Sequence, residues 1–294
     1  MAHAGSASTF SRIMFATGWA FAFAFALPGC KDEGKISAQA AAENAAWLAT
    51  LAEKDVQEIE RGLPEGAKRL SGMITKTPEI PKDPAQAKTA LLRARREVPD
   101  LNIAKSTFFA LADENGVGIR NNLEEDAMAG QNLVAMFPDL KKATSGEYVA
   151  TTGVFPGAAT NQGADKTWLA ASPVKDGGGK VLGIFITGWA YRRFSYHLQE
   201  SLRTELAERV RKSGDNGKLP VFYVGMFDKS GVYTAPRTPP VNEKALADLD
   251  LVSKTSSGPY QGTSVITDRT FGVGAVRVPK LGPDTGVVVL RSEL

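Results

Sequence analysis

Cys30 is the only cysteine in the 294 residues, and His3 and His197 are the only histidines. A single thiol forms no intramolecular disulfide and no cysteine metal site. His3 lies in the first few residues, which leaves one histidine for the body of the chain, too few for a multi-histidine metal centre. A Ser-His-Asp triad would have to use His197, which falls in a predicted surface helix. Asp113-Glu114 and Glu124-Glu125-Asp126 are adjacent acids. Adjacency does not hold an acid and a base across a substrate, so these residues point to turns and helix caps. Gly177-Gly178-Gly179 lacks the lysine and helix of a phosphate loop and predicts a hairpin turn. Gly272-Val273-Gly274 lies in a strand pattern, where glycine marks a bulge or a close backbone approach. The chemistry expected is non-catalytic, with no metal and no cofactor.

Residues suited to holding a small molecule fall in two predicted strands. Period two puts Trp168, Ala170 and Ser172 on one face of the strand 167–174. In the strand 181–189 it groups Phe185, Thr187 and Trp189 with Val181 and Gly183. These faces mix aromatic rings and hydroxyls with small residues, as ligand pockets do. Leu169, Leu182, Ile184 and Ile186 on the opposite faces read as plain core. Tyr148 and Arg120 would add a hydroxyl and a cation for an organic or anionic ligand. The competing reading is that Trp168 and Phe185 are core aromatics and Arg120 is exposed.

The elements that must position these residues follow from periodicity. Residues 36–62 predict a helix, with Leu48, Ala52, Val56, Ile59 and Leu63 in one stripe, interrupted by Pro64 and Gly66. Residues 74–83 read as a linker. Asp83 is the expected cap of a helix at 84–97, with Pro84 at its first position. Strands at 106–112 and 117–121 flank the turn Asp113-Glu114-Asn115-Gly116. Short helices are expected within 123–145, then strands at 147–155, 167–174 and 181–189, and a helix at 196–213. The order then repeats: strands at 221–227 and 232–235 around Asp228-Lys229-Ser230-Gly231, a helix at 242–248, and strands at 262–267, 271–278 and 286–291. The fold class expected is α+β. A helical segment precedes two antiparallel-sheet modules, the second smaller, with the first sheet carrying its helices on one side.

The N-terminus reads as an export signal. Arg12 precedes an almost wholly apolar run, 13–28, short for a membrane span, and Lys31, Asp32 and Glu33 follow at once. Leu27-Pro28-Gly29-Cys30 resembles a bacterial lipobox, with Pro28 departing from the usual small or β-branched residue. That resemblance implies a diacylglyceryl group on the Cys30 sulfur and cleavage before it. It places the body outside the cytoplasm, facing the periplasm or the cell exterior, anchored by acyl chains. The alternative is an uncleaved anchor, which puts the body on the same side.

With 35 basic and 32 acidic residues and no basic stripe interleaved with aromatics, nucleic acid is not an expected partner. Three segments, FFALADENGVGIRNN, AGQNLVAMFPDL and LAASPVKDGGGKVLGIFITG, resemble PAS-like sensor modules of the Cache superfamily. Residues 219–294 resemble a second, shorter module, and the whole is similar to a double-Cache layout. The division implied is a leader at 1–29, a tether at 30–35 and a helical segment at 36–104. A first module at 105–194, a connecting helix at 195–218 and a second module at 219–294 complete it. The Arg-x-x-Trp-Tyr motif by which some members bind amino acids is absent. The sequence reaches Leu294 with neither the second span nor the output domain of many members. The expectation is a lipid-anchored sensor that binds a small molecule and signals through a partner protein. The alternative is an interaction lipoprotein without a ligand.

Overall fold

The computed structural model describes residues 29–156, 164–213 and 219–293. Residues 1–28, which carry nearly all of the expected export signal, lie outside them. Among the described residues no helix is long and apolar enough to cross a membrane.

Helix α1 (Gly29–Lys76) runs unbroken for 48 residues, about 70 Å at 1.5 Å per residue. It overruns the expected end at residue 62. Pro64 lies inside it and cannot donate to the Glu60 carbonyl, a loss of about 3 kcal/mol. The apolar stripe does not stop there, however: Leu63, Ala67, Leu70 and Ile74 are all buried. Burying the two leucines alone contributes roughly 3–6 kcal/mol, which outweighs the proline. Residues 77–83 form a short turn. Helix α2 (Pro84–Glu97) then starts as expected, with the Asp83 carboxylate accepting from the Ala85 amide at 2.8 Å. Helix α3 (Pro99–Ile103) follows.

The first sheet comprises β1 (Phe108–Ala112), β2 (Gly118–Asn121), β3 (Val149–Pro156), β4 (Ala164–Lys175) and β5 (Val181–Ala190), in the order β2-β1-β5-β4-β3, all antiparallel. Between β2 and β3 lie α4 (Leu133–Met136), a 3₁₀ turn at Pro138–Leu140 and α5 (Lys141–Thr144). Helix α6 (Tyr191–Ser213) leads to the second sheet: β6 (Val221–Asp228), β7 (Gly231–Thr234), β8 (Tyr260–Ile266), β9 (Arg269–Arg277) and β10 (Gly286–Ser292). Its order, β7-β6-β10-β9-β8, is the same as the first. Helices α7 (Pro240–Ala247) and α8 (Leu251–Lys254) occupy the place of α4 and α5. The second sheet therefore equals the first in strand number, where a smaller one was expected.

One local device recurs at three hairpins. Asp113 accepts from the amides of Asn115 and Val117, Asp176 from Gly178 and Lys180, and Asp228 from Ser230. Each aspartate is followed three residues later by a glycine at positive φ, namely Gly116, Gly179 and Gly231. The repeated Asp-x-x-Gly is thus turn chemistry.

The first sheet is covered on both faces, not on one as expected. Trp168, Ala170, Phe185, Phe109 and Leu111 share a core with the stripe of α1 and with α2 and α6. Leu169, Ala171, Ile184 and Ile186 pack in a second core with Leu133, Phe137 and Leu140 from the short helices. A central strand apolar on both sides needs a cover for each. The amino-terminal part of α1 lies on the second sheet, where Gly272 and Gly274 leave room for its backbone. A Cβ at Gly272 would stand 2.1 Å from the Ser37 carbonyl carbon, and one at Gly274 would stand 2.3 Å from the Ala41 carbonyl oxygen. The Gly-Val-Gly of β9 therefore marks a close backbone approach.

Candidate ligand-binding face

The β4–β5 register sets Trp168 opposite Trp189, Ala170 opposite Thr187 and Ser172 opposite Phe185. Four of the six expected site residues thus share one face. Trp168 stacks on Trp189 with ring centroids 4.5 Å apart, and Trp189 stacks on Phe194 at 4.2 Å. Phe185 stacks on Phe109 at 5.8 Å. Trp168 is 1% exposed and Phe185 0%. Helix α1 lies directly over them, so that a Cβ on Gly66 would stand 2.7 Å from the Phe185 ring. The Thr187 hydroxyl donates to the Phe108 carbonyl at 2.7 Å.

Tyr148 is half-buried beside this core, with its hydroxyl enclosed and unpartnered. Burial, with a smaller push from the Glu60 carboxylate, moves that hydroxyl above its usual range. Arg120 is on the edge strand β2, separated from β4 by β1 and β5. Its guanidinium is 3.2 Å from the Asp126 carboxylate and donates to the Leu123 carbonyl at 2.9 Å. Asp126 in turn accepts from the amides of Asn121 and Met128. This cation orders the loop after β2.

A second polar cluster, which the sequence did not announce, joins the modules. The Arg192 guanidinium grips Glu243 of α7 at 2.7 and 2.8 Å, and the Thr234 hydroxyl also donates to that carboxylate. Burial pushes the Glu243 carboxyl up, but hydrogen bonds from Arg192 and Thr234 outweigh it and hold it below the usual range. Lys166 of β4 reaches Asp228 of β6 at 3.2 Å. The two ion pairs join residues more than fifty positions apart, and no periodicity links them. Asp165 accepts from the Arg192 amide at 3.2 Å, while its other oxygen is buried without a partner. Burial raises its carboxyl above 3.8. An acid raised in the folded state loses stability as the pH climbs through that window, because the unfolded chain releases the proton first. Asp165→Asn should therefore raise Tm at neutral pH, since an unpartnered neutral amide is less costly to bury than a charge. The gain should fade as the pH falls through and below 3.8, as the carboxyl takes up its proton first in the folded and then in the unfolded state. A gain independent of pH in calorimetry would assign the effect to something other than this ionisation.

Among the described residues, no group of three or more histidine, cysteine, aspartate or glutamate side chains is placed to hold a metal ion. No protein-family profile matches the chain, and no curated protein matches it in sequence. Solved structures do match. The extracellular domain of a protein assigned as a histidine kinase superposes with a TM-score of 0.58 at 11% identity, over 90% of this chain and 93% of that one. A domain of a protein assigned to the sensory box/GGDEF family of Vibrio parahaemolyticus gives 0.57 at 11% identity, over 89% and 97%. The fold is a double PAS/Cache-like α+β architecture. At this identity the likeness is one of fold. The chain spans 39% of the length of an extracellular ligand binding receptor from Desulfohalobium retbaense, with a TM-score of 0.49. The double-module fold also accounts for the strand order that the two sheets share.

Proposed function

We propose that this chain is a lipid-anchored extracytoplasmic sensor, which binds a small molecule in its first module and signals through a partner protein. The observation that carries the reading is the unbroken α1. It starts beside Cys30, lies on the second sheet, and ends against the first. A change in the first module's core is thereby connected mechanically to the anchored end. The first module is residues 105–194 and the second 219–294, joined by the helix within 195–218. Trp168, Ser172, Phe185 and Thr187 are the ligand face, with Tyr148 beside it and Arg120 on the edge strand beyond, and a ligand acts by shifting the packing of α1 and α6 against that face. Native mass spectrometry of the full chain released from detergent should show a mass increment from a co-purified small molecule. Repeated preparations without any increment would count against a ligand.

Anchoring has its own test. Cys30→Ser should abolish incorporation of a radiolabelled fatty acid and release the protein from the membrane fraction, because the sulfur is the only thiol available as acyl acceptor. Equal labelling of wild type and variant would end the lipoprotein reading.

One observation favours a second reading. The Trp168–Phe185 face is filled by α1, and a filled face suits an interaction lipoprotein whose modules serve as contact surfaces. That protein would show no co-purified molecule and would be recovered with an envelope partner after crosslinking.

A further inference from the structure

At the end of α2 the chain turns through α3 into β1, and this corner faces the first turns of α6 across a cleft of about 280 Å³. Its lining is basic. Arg95 comes from α2, Lys105 from the segment before β1, and Arg193 and His197 from α6. No acid lines it. Asp55 of α1 stands beside His197, its Oδ2 3.4 Å from His197 Nε2, and neither atom makes an aligned hydrogen bond. Arg95 lies over the Phe109 ring at 5.2 Å, and among the described residues neither Arg95, Lys105 nor Arg193 has a carboxylate within ion-pair distance.

Polar atoms left without partners converge on the same place. Arg95 Nε, Ser106 Oγ and Trp189 Nε1 are all buried, and none has a hydrogen-bond partner. The residue carrying the last, Trp189, is 1% exposed and lines the cleft. Buried donors in folded proteins are nearly always matched by protein, water or an ion, and the residues that carry these three all line the cleft. The cleft also has an apolar side, where the exposed Tyr196 ring stands by the almost wholly buried Trp189 and Phe194. A phosphate would meet the cations and leave that side unused. A flat carboxylate uses both, with its two oxygens accepting from guanidinium groups.

We propose that this cleft binds a small organic carboxylate, its charge held between Arg95 and Arg193 and its apolar body laid against the Tyr196 ring. The proposal rests on the sensor reading above, and it gives that reading a ligand class and an entry point. The entry is at the open end of the Trp168–Trp189–Phe194 stack. Binding draws the start of α6 towards α2. The residue before Arg193 is Arg192, which holds Glu243 of the second module, so occupancy in one module is felt in the other.

Sodium benzoate is a suitable probe, with sodium phosphate and benzylammonium chloride as comparators, titrated calorimetrically into the full chain in detergent. Benzoate should bind saturably, while the two comparators should not. Arg95→Met keeps the stem over Phe109 and removes the charge, and Arg193→Gln alters an exposed position that the fold does not need. Each should weaken benzoate about tenfold or more, and Arg193→Lys should recover part of the loss. The proposal is overturned by any one of three results: no saturable benzoate binding, phosphate binding as tightly as benzoate, or benzoate affinity unchanged in the double variant. If the double variant still carried the molecule that co-purifies with wild type, the sensor reading would stand and this cleft would be excluded from it.

Discussion

Replacing Trp168 with alanine should lower the unfolding free energy by about 3–5 kcal/mol. The ring is 1% exposed and stacked on Trp189 at 4.5 Å. Such a pair adds roughly 0.5–1.5 kcal/mol beyond burial alone. The space left behind is bounded by the sheet and by α1, neither of which can collapse onto it without giving up other contacts. Denaturant titration should show the midpoint falling while the slope is unchanged. Thr187→Val should cost less, about 0.5–1.5 kcal/mol, since it deletes only the hydrogen bond to the Phe108 carbonyl at nearly constant volume. If Trp168→Ala cost under about 1 kcal/mol, far below the range for a buried aromatic, the face would be an openable pocket and not a filled core.

Gly272→Ala and Gly274→Ala should each destabilise by about 1–3 kcal/mol. The added methyl group at either position would meet the backbone of α1, at Ser37 and Ala38 or at Ala41 and Ala42. Backbone cannot rotate away as a side chain can, so the helix has to shift. The double variant should lose less than the sum of the two, because lifting α1 off one position relieves the other. Hydrogen exchange should accelerate in α1 around Ser37–Ala42 and in β9, while protection in β4 and β5 is kept. Uniform acceleration across both sheets would show that the modules unfold as one unit.

The sequence made most of the elements legible, and the reasons differ from one to the next. Asp113, Asp176 and Asp228, each with its glycine three residues on, announced three hairpins because the same atoms accept the same amides each time. Asp83 and Pro84 announced α2 for similarly local reasons. The end of α1 was missed because Pro64 is a local signal, and the burial of Leu63 and Leu70 that overrides it comes from strands a hundred residues away. Period two placed Trp168, Ser172, Phe185 and Thr187 on one face, as the register has them. Alternation cannot say which element covers a face, and so α1 over Phe185 was not foreseen. Nor could composition foresee that Arg120 is occupied by Asp126, six positions further on across a loop.

The length of α1 has a consequence for how this chain can vary. The helix is geared to two sheets at once, through Ala41 at Gly274 and through Gly66 at Phe185. One residue inserted between those contacts would rotate everything beyond it by about 100°, turning Leu63 and Leu70 away from the first sheet. Seven inserted residues would restore the facing to within about 20° but would move the far contact some 10 Å along the axis. Rotation and span cannot both be satisfied by any short insertion. Variation in length is therefore confined to the loops and to the stretch of α1 before Gly34, and the distance between the two modules is held like the spacing of teeth on a shaft.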